Sequence, residues 1–459
     1  MMAVQEAAHA LNAGWSGEDA VFTGVSTDSR TVQPGDLFVA LSGKNFDGHA
    51  FIASAVEKGA VAAMVSRNFG QENRVAKIPF IQVNDAKSGL GKLAAHWRKR
   101  FTMPLVAVTG SNGKTTVKEM IASILRQSIE SRVNDQDSTE QVLATEGNLN
   151  NEIGVPQMLL RLRAQHIYAV IEMGMNHVGE IAYLSQMAKP NVAVITNAAA
   201  AHIEGLGSVE AVAQAKGEIF EGLDQEGIAI INADDGYASL WRKFALGRHV
   251  VDFGFTSSAQ VNASYQIKCL KSMVTLQLPD GIERVELQVP GEHNVRNALA
   301  AAAVAVGLGI SRNSIALGLE KFSGVKGRLQ KKNGINNSIL LDDSYNANPA
   351  SVQAALTVLT AIVGRKFLVL GDMGELGESA ADFHRCMGKE ARLAGLDGLL
   401  TLGELSAYAS AEFGSGGRHF ECMEELLIEI EKLLAPDVTL LVKGSRAMKM
   451  ERVVKQFEV

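Results

Sequence analysis

Residues 106–120 read VAVTGSNGKTTVKEM, an apolar run followed by glycines, a lysine and a helix-forming stretch. Gly110, Ser111, Asn112, Gly113, Lys114, Thr115 and Thr116 carry the parts of a phosphate-binding loop. Glycines let backbone N–H groups turn toward an anion, the lysine reaches outer phosphates, and Thr115 offers a hydroxyl to Mg²⁺. The spacing departs from the common G-x-x-x-x-G-K-[ST]: counted back from Gly113, the first glycine falls on Val108. A plain turn with a surface lysine is the simpler reading. A strand before, a helix after and G-K-T-T together favour the anion site.

Further residues gain interest only from their placement. Glu172 ends the apolar run YAVIE, where a carboxylate suits Mg²⁺ and where α/β sheets bind ligands, although a capping or salt-bridged glutamate is the alternative. His202 lies beyond the run NVAVIT, with a structural histidine as the alternative. Lys216 sits in AVAQAKGEIF, and nothing local separates it from a solvated helix lysine. Asn294 and Asn297, three apart, share a helix face; their amides could meet a purine or phosphate, but helix capping is the simpler reading. Arg328 offers a planar fork to phosphoryl oxygens, and Asp343 ends a strand within reach of a ribose hydroxyl. Asn346-Ala347-Asn348-Pro349 reads as a turn with proline at a helix start.

The elements that must position these groups form three regions. Residues 1–84 mix short β-like runs with a helical piece near HAFIASAVEKGA, a small α/β unit. Residues 85–325 open with the amphipathic helix AKSGLGKLAAHWRKRF and then alternate apolar strands with helices, which predicts a doubly wound parallel sheet covered on both faces. Residues 258–290 alternate apolar and polar, suggesting an antiparallel edge, and two helices follow near 293–309 and 311–322. From 326 to 459 the alternation restarts as a Rossmann-like unit. The fold class is therefore α/β with three domains.

Composition narrows the function. The 459 residues carry a net charge of -6, which argues against a nucleic-acid binder, so an anionic ligand must be held by local groups. Cys269, Cys386 and Cys422 are odd in number and widely spaced, which fits a reducing cytoplasm and neither a disulfide framework nor a zinc site. The first 20 residues lack a basic start and an apolar core, so no signal peptide is expected. ALAAAAVAVGLG is too short to span a bilayer, which takes about 20 residues; no membrane insertion is expected.

Taken together, the motifs resemble the Mur ligases, ATP-dependent peptide-bond-forming enzymes of bacterial cell-wall synthesis. In that family the loop is G-[ST]-x-G-K-[ST], so the missing glycine is normal there. GNLNNEIGVP, EMGMNHVGEI, TNAAAAHIEGLGS, AKGEIF, DDSYNANP and LGDMGELG resemble the member that joins D-alanyl-D-alanine to UDP-N-acetylmuramoyl-tripeptide. The diaminopimelate-adding relative shares STDSRTVQPGDLFVAL but carries a D-N-P-R signature absent here. The resemblance implies ATP and Mg²⁺ as cofactors, a bacterial cytoplasmic location and a monomer. It implies that Lys114 holds the β,γ-phosphates, that Thr115, Glu172 and His202 surround Mg²⁺, and that Lys216 is carbamylated and supports a second cation. It places Asn294, Asn297, Arg328 and Asp343 on ATP. Ser26, Asp28, Ser29, Arg30, Asn45 and Asp47 would meet the uridine nucleotide, and Asn148, Asn151, Asn346 and Asn348 the peptide substrates. The competing expectations are another amide ligase on the same ATP core, such as a folylpolyglutamate synthetase, and a nucleotide-binding module without catalysis.

Overall fold

The computed structural model describes residues 1–43, 46–67, 78–133, 138–200, 203–268 and 270–459, with side chains omitted at 132–133, 138 and 203–204. Asn45, His202 and Cys269 therefore lie outside the described residues.

The central sheet has six parallel strands in the spatial order Val142–Ala144, Tyr168–Glu172, Leu105–Thr109, Val192–Ile195, Ile228–Asn232 and His249–Phe253. Successive side chains of a strand point to opposite faces. Leu105 and Ala107 accordingly enter one core, while Val106 and Val108 enter another. Both faces are covered, which explains strands that are apolar at every position. The first core continues into the N-terminal sheet through Leu37, Val39, Met64 and Ile81. That sheet runs in the order Gly14–Ser16, Phe80–Val83, Ala62–Ser66, Asp36–Val39, Gly24–Ser26. The second core holds helix Lys114–Val133 and the alanine-rich helix Glu292–Gly307, whose small side chains allow close approach to the sheet.

The expected antiparallel edge at 258–290 is corrected. Asn262–Lys268, Lys271–Leu278 and Gly281–Leu287 form their own three-stranded antiparallel sheet, joined to His249–Phe253 only by an isolated bridge between Phe253 and Val261. Its alternation is the physical reason: Val274, Leu276, Leu278, Val285 and Leu287 face the second core while the opposite face, with Lys271, Met273, Gln277, Ile282 and Arg284, is exposed. A one-sided sheet packs as an added layer, whereas strands of the parallel sheet are buried on both sides.

The C-terminal sheet orders Gln330–Asn333, Ile339–Asp343, Val438–Lys443, Arg365–Gly371, Gly398–Leu402 and Gly417–Phe420. Its first pair is antiparallel and the rest are parallel. Helix Pro349–Thr360 starts where expected: Asn348 accepts from Ser351 N, Ser351 Oγ accepts from Asn348 N, and proline occupies the first turn.

Candidate active site

The glycine loop leaves the carboxyl end of Leu105–Thr109, flanked by Tyr168–Glu172 on one side and Val192–Ile195 on the other. This is the edge at which open α/β sheets bind ligands. Gly110 and Gly113 adopt φ of 152° and 83°. A Cβ on Gly113 would stand 2.3 Å from Asn297 Oδ1, and one on Gly110 would stand 1.8 Å from Thr196 Oγ1. Both positions therefore need the missing side chain as well as the backbone freedom. The neighbouring strand end holds the loop in shape: Asn197 Oδ1 accepts from Asn112 N at 3.0 Å, and Thr196 Oγ1 donates to Asn112 O at 2.6 Å. Lys114 Nζ donates to Gly110 O at 2.7 Å and Ser111 O at 3.3 Å. Burial holds its ammonium below the ordinary lysine range, with Glu172 pulling the other way and Arg328 adding to the depression.

Glu172 is 2% exposed. Its Oε1 accepts from Asn150 Nδ2 at 2.8 Å, and its backbone N–H donates to Thr145 Oγ1 at 2.8 Å. Oε2 is buried with no hydrogen-bond partner among the described residues. An orphaned carboxylate oxygen is costly in a protein interior, and a cation ligand would satisfy it. The described residues contain no cluster of three His, Cys, Asp or Glu side chains. Mg²⁺ does not require one, because it draws on one or two carboxylates, waters and substrate phosphates. Thr115 and Glu172 on one cavity fit that pattern.

Two cavities meet at the loop. One, of about 670 Å³, is bounded by Gly113, Thr116, Asn294, Asn297, Arg328 and Asp343. The other, of about 600 Å³, is bounded by Ser111, Lys114, Glu172, Asn148, Asn151, Asn346 and Asn348. Asn112, Gly113, Thr115 and Arg328 line both. The expected phosphate, metal and C-terminal groups thus come together from distant parts of the chain. Asn348 Nδ2 donates to Asn112 Oδ1 at 2.8 Å, tying the C-terminal region to the glycine loop. Arg328 lies over the Tyr345 ring, 4.0 Å from its centroid.

Other expected residues have protein partners of their own. Asn294 Nδ2 donates to Pro290 O and Asn297 Nδ2 to Asn294 Oδ1, while Gly291 stands at the N-cap of helix Glu292–Gly307 with no side-chain cap, so the capping reading of this pair is corrected: neither amide accepts a first-turn N–H among the described residues, and both line the cavity. Asn151 Oδ1 accepts from Ile153 N and Gly154 N, shaping the start of helix Gly154–Leu160. Asp343 is engaged at both oxygens, by Leu329 N at 3.1 Å and by Lys443 Nζ at 2.5 Å. Beside these groups, burial pushes the His293 imidazole down to about 4. Lys216 is 1% exposed, and its ammonium is held well below the lysine range, first by burial and then by the charge of Lys114. That places Lys216 in the field of the loop, which its helix position alone did not disclose.

In the N-terminal region, Arg30 clamps Asp28 with three side-chain hydrogen bonds, which brings Asp28 down to about 2. Ser26 Oγ donates to Asp28 O, and Gln157 Nε2 donates to the intervening Thr27 at 2.6 Å, linking this stretch and Ser29 beside it to helix Gly154–Leu160. Asp47 accepts from Ser42 Oγ and pairs with His49. Sequence reasoning singled out none of Asn150, Lys443, Glu375 and Arg446 individually, although it set LGDMGELG and VKGSRAMKME at the ligand edge of the C-terminal sheet. Asn150 stands inside a quoted motif, but nothing in its type separated it from Asn148 and Asn151. Lys443 ends strand Val438–Lys443, and Glu375 and Arg446 lie in stretches that follow C-terminal strands; no residue type there marked one position out.

Comparison with known proteins agrees with this architecture. The pattern of the Mur ligase middle domain matches residues 108–305, that of the Mur ligase glutamate ligase domain matches 327–446, and that of the Mur ligase family catalytic domain matches 21–98. The chain is 42% identical over 452 residues to the UDP-N-acetylmuramoyl-tripeptide--D-alanyl-D-alanine ligase of Escherichia coli, covering 98% of this chain and 96% of that one. The enzyme of the same name from Haemophilus influenzae is 42% identical over 436 residues, 94% of this chain and 92% of that one. Among solved structures, MurF from Acinetobacter baumannii superposes with a TM-score of 0.89 at 35% identity, over 98% of this chain and 97% of that one. MurF ligase from Thermotoga maritima in complex with ADP superposes at 0.81 and 27% identity, over 95% and 97%. A folylpolyglutamate synthase from Mycobacterium tuberculosis shares the fold at 17% identity and covers 81% of this chain.

Proposed function

The chain belongs to the Mur ligase family, and on that premise we propose that it joins D-alanyl-D-alanine to UDP-N-acetylmuramoyl-tripeptide with consumption of ATP. The products are UDP-N-acetylmuramoyl-pentapeptide, ADP and phosphate, a step of peptidoglycan precursor synthesis. The reaction uses ATP and Mg²⁺. The observation that carries the reading is identity along nearly the whole chain to relatives that bear this activity in their names. No helix among the described residues is long and apolar enough to cross a membrane; we propose the bacterial cytoplasm as the site of the reaction because its acceptor is a soluble nucleotide.

The chemistry follows from its barriers. A carboxylate is a poor acyl donor because its leaving group would be oxide. Its oxygen therefore attacks the γ-phosphorus, ADP leaves, and an acyl phosphate forms. The dipeptide amine, having lost a proton, attacks the carbonyl carbon, and phosphate leaves. The loop N–H groups and Lys114 hold the β,γ-phosphates and stabilise the charge that develops there. Arg328, fixed over Tyr345, reaches both cavities and steadies the transferring phosphoryl group. Thr115, Glu172 and His202 would hold Mg²⁺, which supplies charge neutralisation between two anionic reactants. Lys216 would carry a carbamate: a buried amine with a depressed proton affinity is neutral more often, and only the neutral amine adds CO₂. Asn294 and Asn297 support the nucleotide against the loop. Asp343 faces the ribose of ATP and also fixes Leu329 next to Arg328. Ser26, Asp28, Ser29, Arg30, Asn45 and Asp47 take the uridine nucleotide, and Asn148, Asn151, Asn346 and Asn348 the peptide side. Closure of residues 326–459 over the loop excludes water from the acyl phosphate, and the Asn348–Asn112 bond favours it.

The test is ADP release with ATP, Mg²⁺ and UDP-N-acetylmuramoyl-tripeptide, with and without D-alanyl-D-alanine, read beside product mass. Release that needs both substrates and a pentapeptide product supports the assignment. Release with a folate or another amino acid alone would refute the substrate assignment. A Lys114→Ala variant is expected to lose ADP formation; full activity would remove the phosphate role.

A further inference from the structure

Glu172 is aimed by more than its own strand. Asn150 Nδ2 binds Oε1 at 2.8 Å and leaves Oε2 buried and without a partner among the described residues, on a side chain that lines the cavity at the loop. The amide is itself seated. Gly174 N donates to Asn150 O at 2.7 Å, and a Cβ on Gly174 would stand 3.1 Å from Asn150 Oδ1, so the glycine leaves the room that the amide fills. The backbone beneath is pinned as well: Glu172 N–H donates to Thr145 Oγ1, and the Thr145 carbonyl accepts from buried Lys118 Nζ at 2.5 Å. Residues 145–150 thus act on Glu172 at two atoms, one main-chain and one carboxylate.

We propose that Asn150 is a positioning residue that presents Glu172 to the divalent cation through a single oxygen. The inference rests on the reading of Glu172 as a metal ligand. With Oε1 tied to a neutral amide, bidentate chelation is disfavoured and Oε2 is held in one direction. That geometry suits Mg²⁺, which demands near-octahedral ligands and keeps several waters. Partners that orient a ligand carboxylate typically alter metal affinity by about 10–100-fold when removed.

The experiment is Mn²⁺ binding to the full chain with ADP present, followed by electron paramagnetic resonance, for Asn150→Ala, Glu172→Gln and the double variant. We expect each single change to weaken Mn²⁺ about tenfold or more, and the double to be no weaker than Glu172→Gln alone, because Asn150 acts through that carboxylate. In Asn150→Ala, which changes no charge, ADP affinity without metal stays within twofold, which a general loss of structure would not leave. Gly174→Ala, which presses on the amide and keeps Asn150, is expected to weaken Mn²⁺ in the same direction and serves if Asn150→Ala fails to fold. Unchanged Mn²⁺ binding in Asn150→Ala with weakened binding in Glu172→Gln overturns the inference and leaves the metal reading standing. Additive losses also overturn it. Unchanged binding in Glu172→Gln overturns both.

Discussion

Replacing Lys443 by methionine tests whether Asp343 is a structural pivot. Lys443 is 2% exposed and Asp343 9%. The ammonium donates to Asp343 Oδ2 at 2.5 Å and to Asn346 O at 3.0 Å, while Asp343 Oδ1 holds Leu329 N–H. Leu329 has a φ of 52°, a strained value for a branched residue, directly after Arg328. Lys443→Met leaves a buried carboxylate with one backbone donor. Breaking such a pair by removing one partner costs about 3–5 kcal/mol. For a unit of this size, that is a fall of roughly 10–20 °C in its melting temperature. Calorimetry of the full chain would show it in the transition of the C-terminal residues, and hydrogen exchange at 339–343 and 438–443 would locate it. The double change Asp343→Leu with Lys443→Met removes both charges and is expected to recover most of the loss. A Lys443→Met variant melting within about 2 °C of the parent would refute the reasoning, as would a double variant no more stable than the single.

Two further outcomes follow from the loop and its neighbour. Gly113→Ala must hold a φ of 83° and displace Asn297 Oδ1 from 2.3 Å; with about 1–2 kcal/mol of backbone strain alone, ADP affinity by calorimetric titration should fall about tenfold or more, and affinity within twofold of the parent would contradict the loop geometry. Lys216→Met should lose activity by about 100-fold or more yet melt at a higher temperature. The sign follows from linkage: the folded lysine binds its proton more weakly than the unfolded one, so burial of Lys216 penalises folding below the ordinary lysine pKa and the penalty fades as pH rises toward it. In bicarbonate-free buffer the stability gain of the variant should therefore be largest near neutral pH and shrink toward about pH 10.4; a gain independent of pH would overturn this account.

Much of the protein was legible from residue types and spacing. Near-continuous apolar runs fix a sheet buried on both faces, because no other arrangement hides every side chain of a strand. Gly110, Gly113, Lys114 and Thr115 announce a phosphate loop, because a backbone turned toward an anion needs glycine and the anion needs a cation. Asn348-Pro349 announces a helix start for an equally local reason. What depends on position in space was not legible. The 258–290 hairpins read as a sheet edge, since alternation tells which residues are buried and not what buries them. Lys216 looked like a solvated lysine, since only packing shows it enclosed and in the field of Lys114. That Asp343 pairs with Lys443, 100 residues away, is disclosed only by the strand order. Asn150 was one asparagine among three, and only the register of Tyr168–Glu172 against its neighbours gives it a carboxylate to hold. Local chemistry is written in the order of the chain. Burial, charge pairing and orientation arise between segments that the sequence keeps apart.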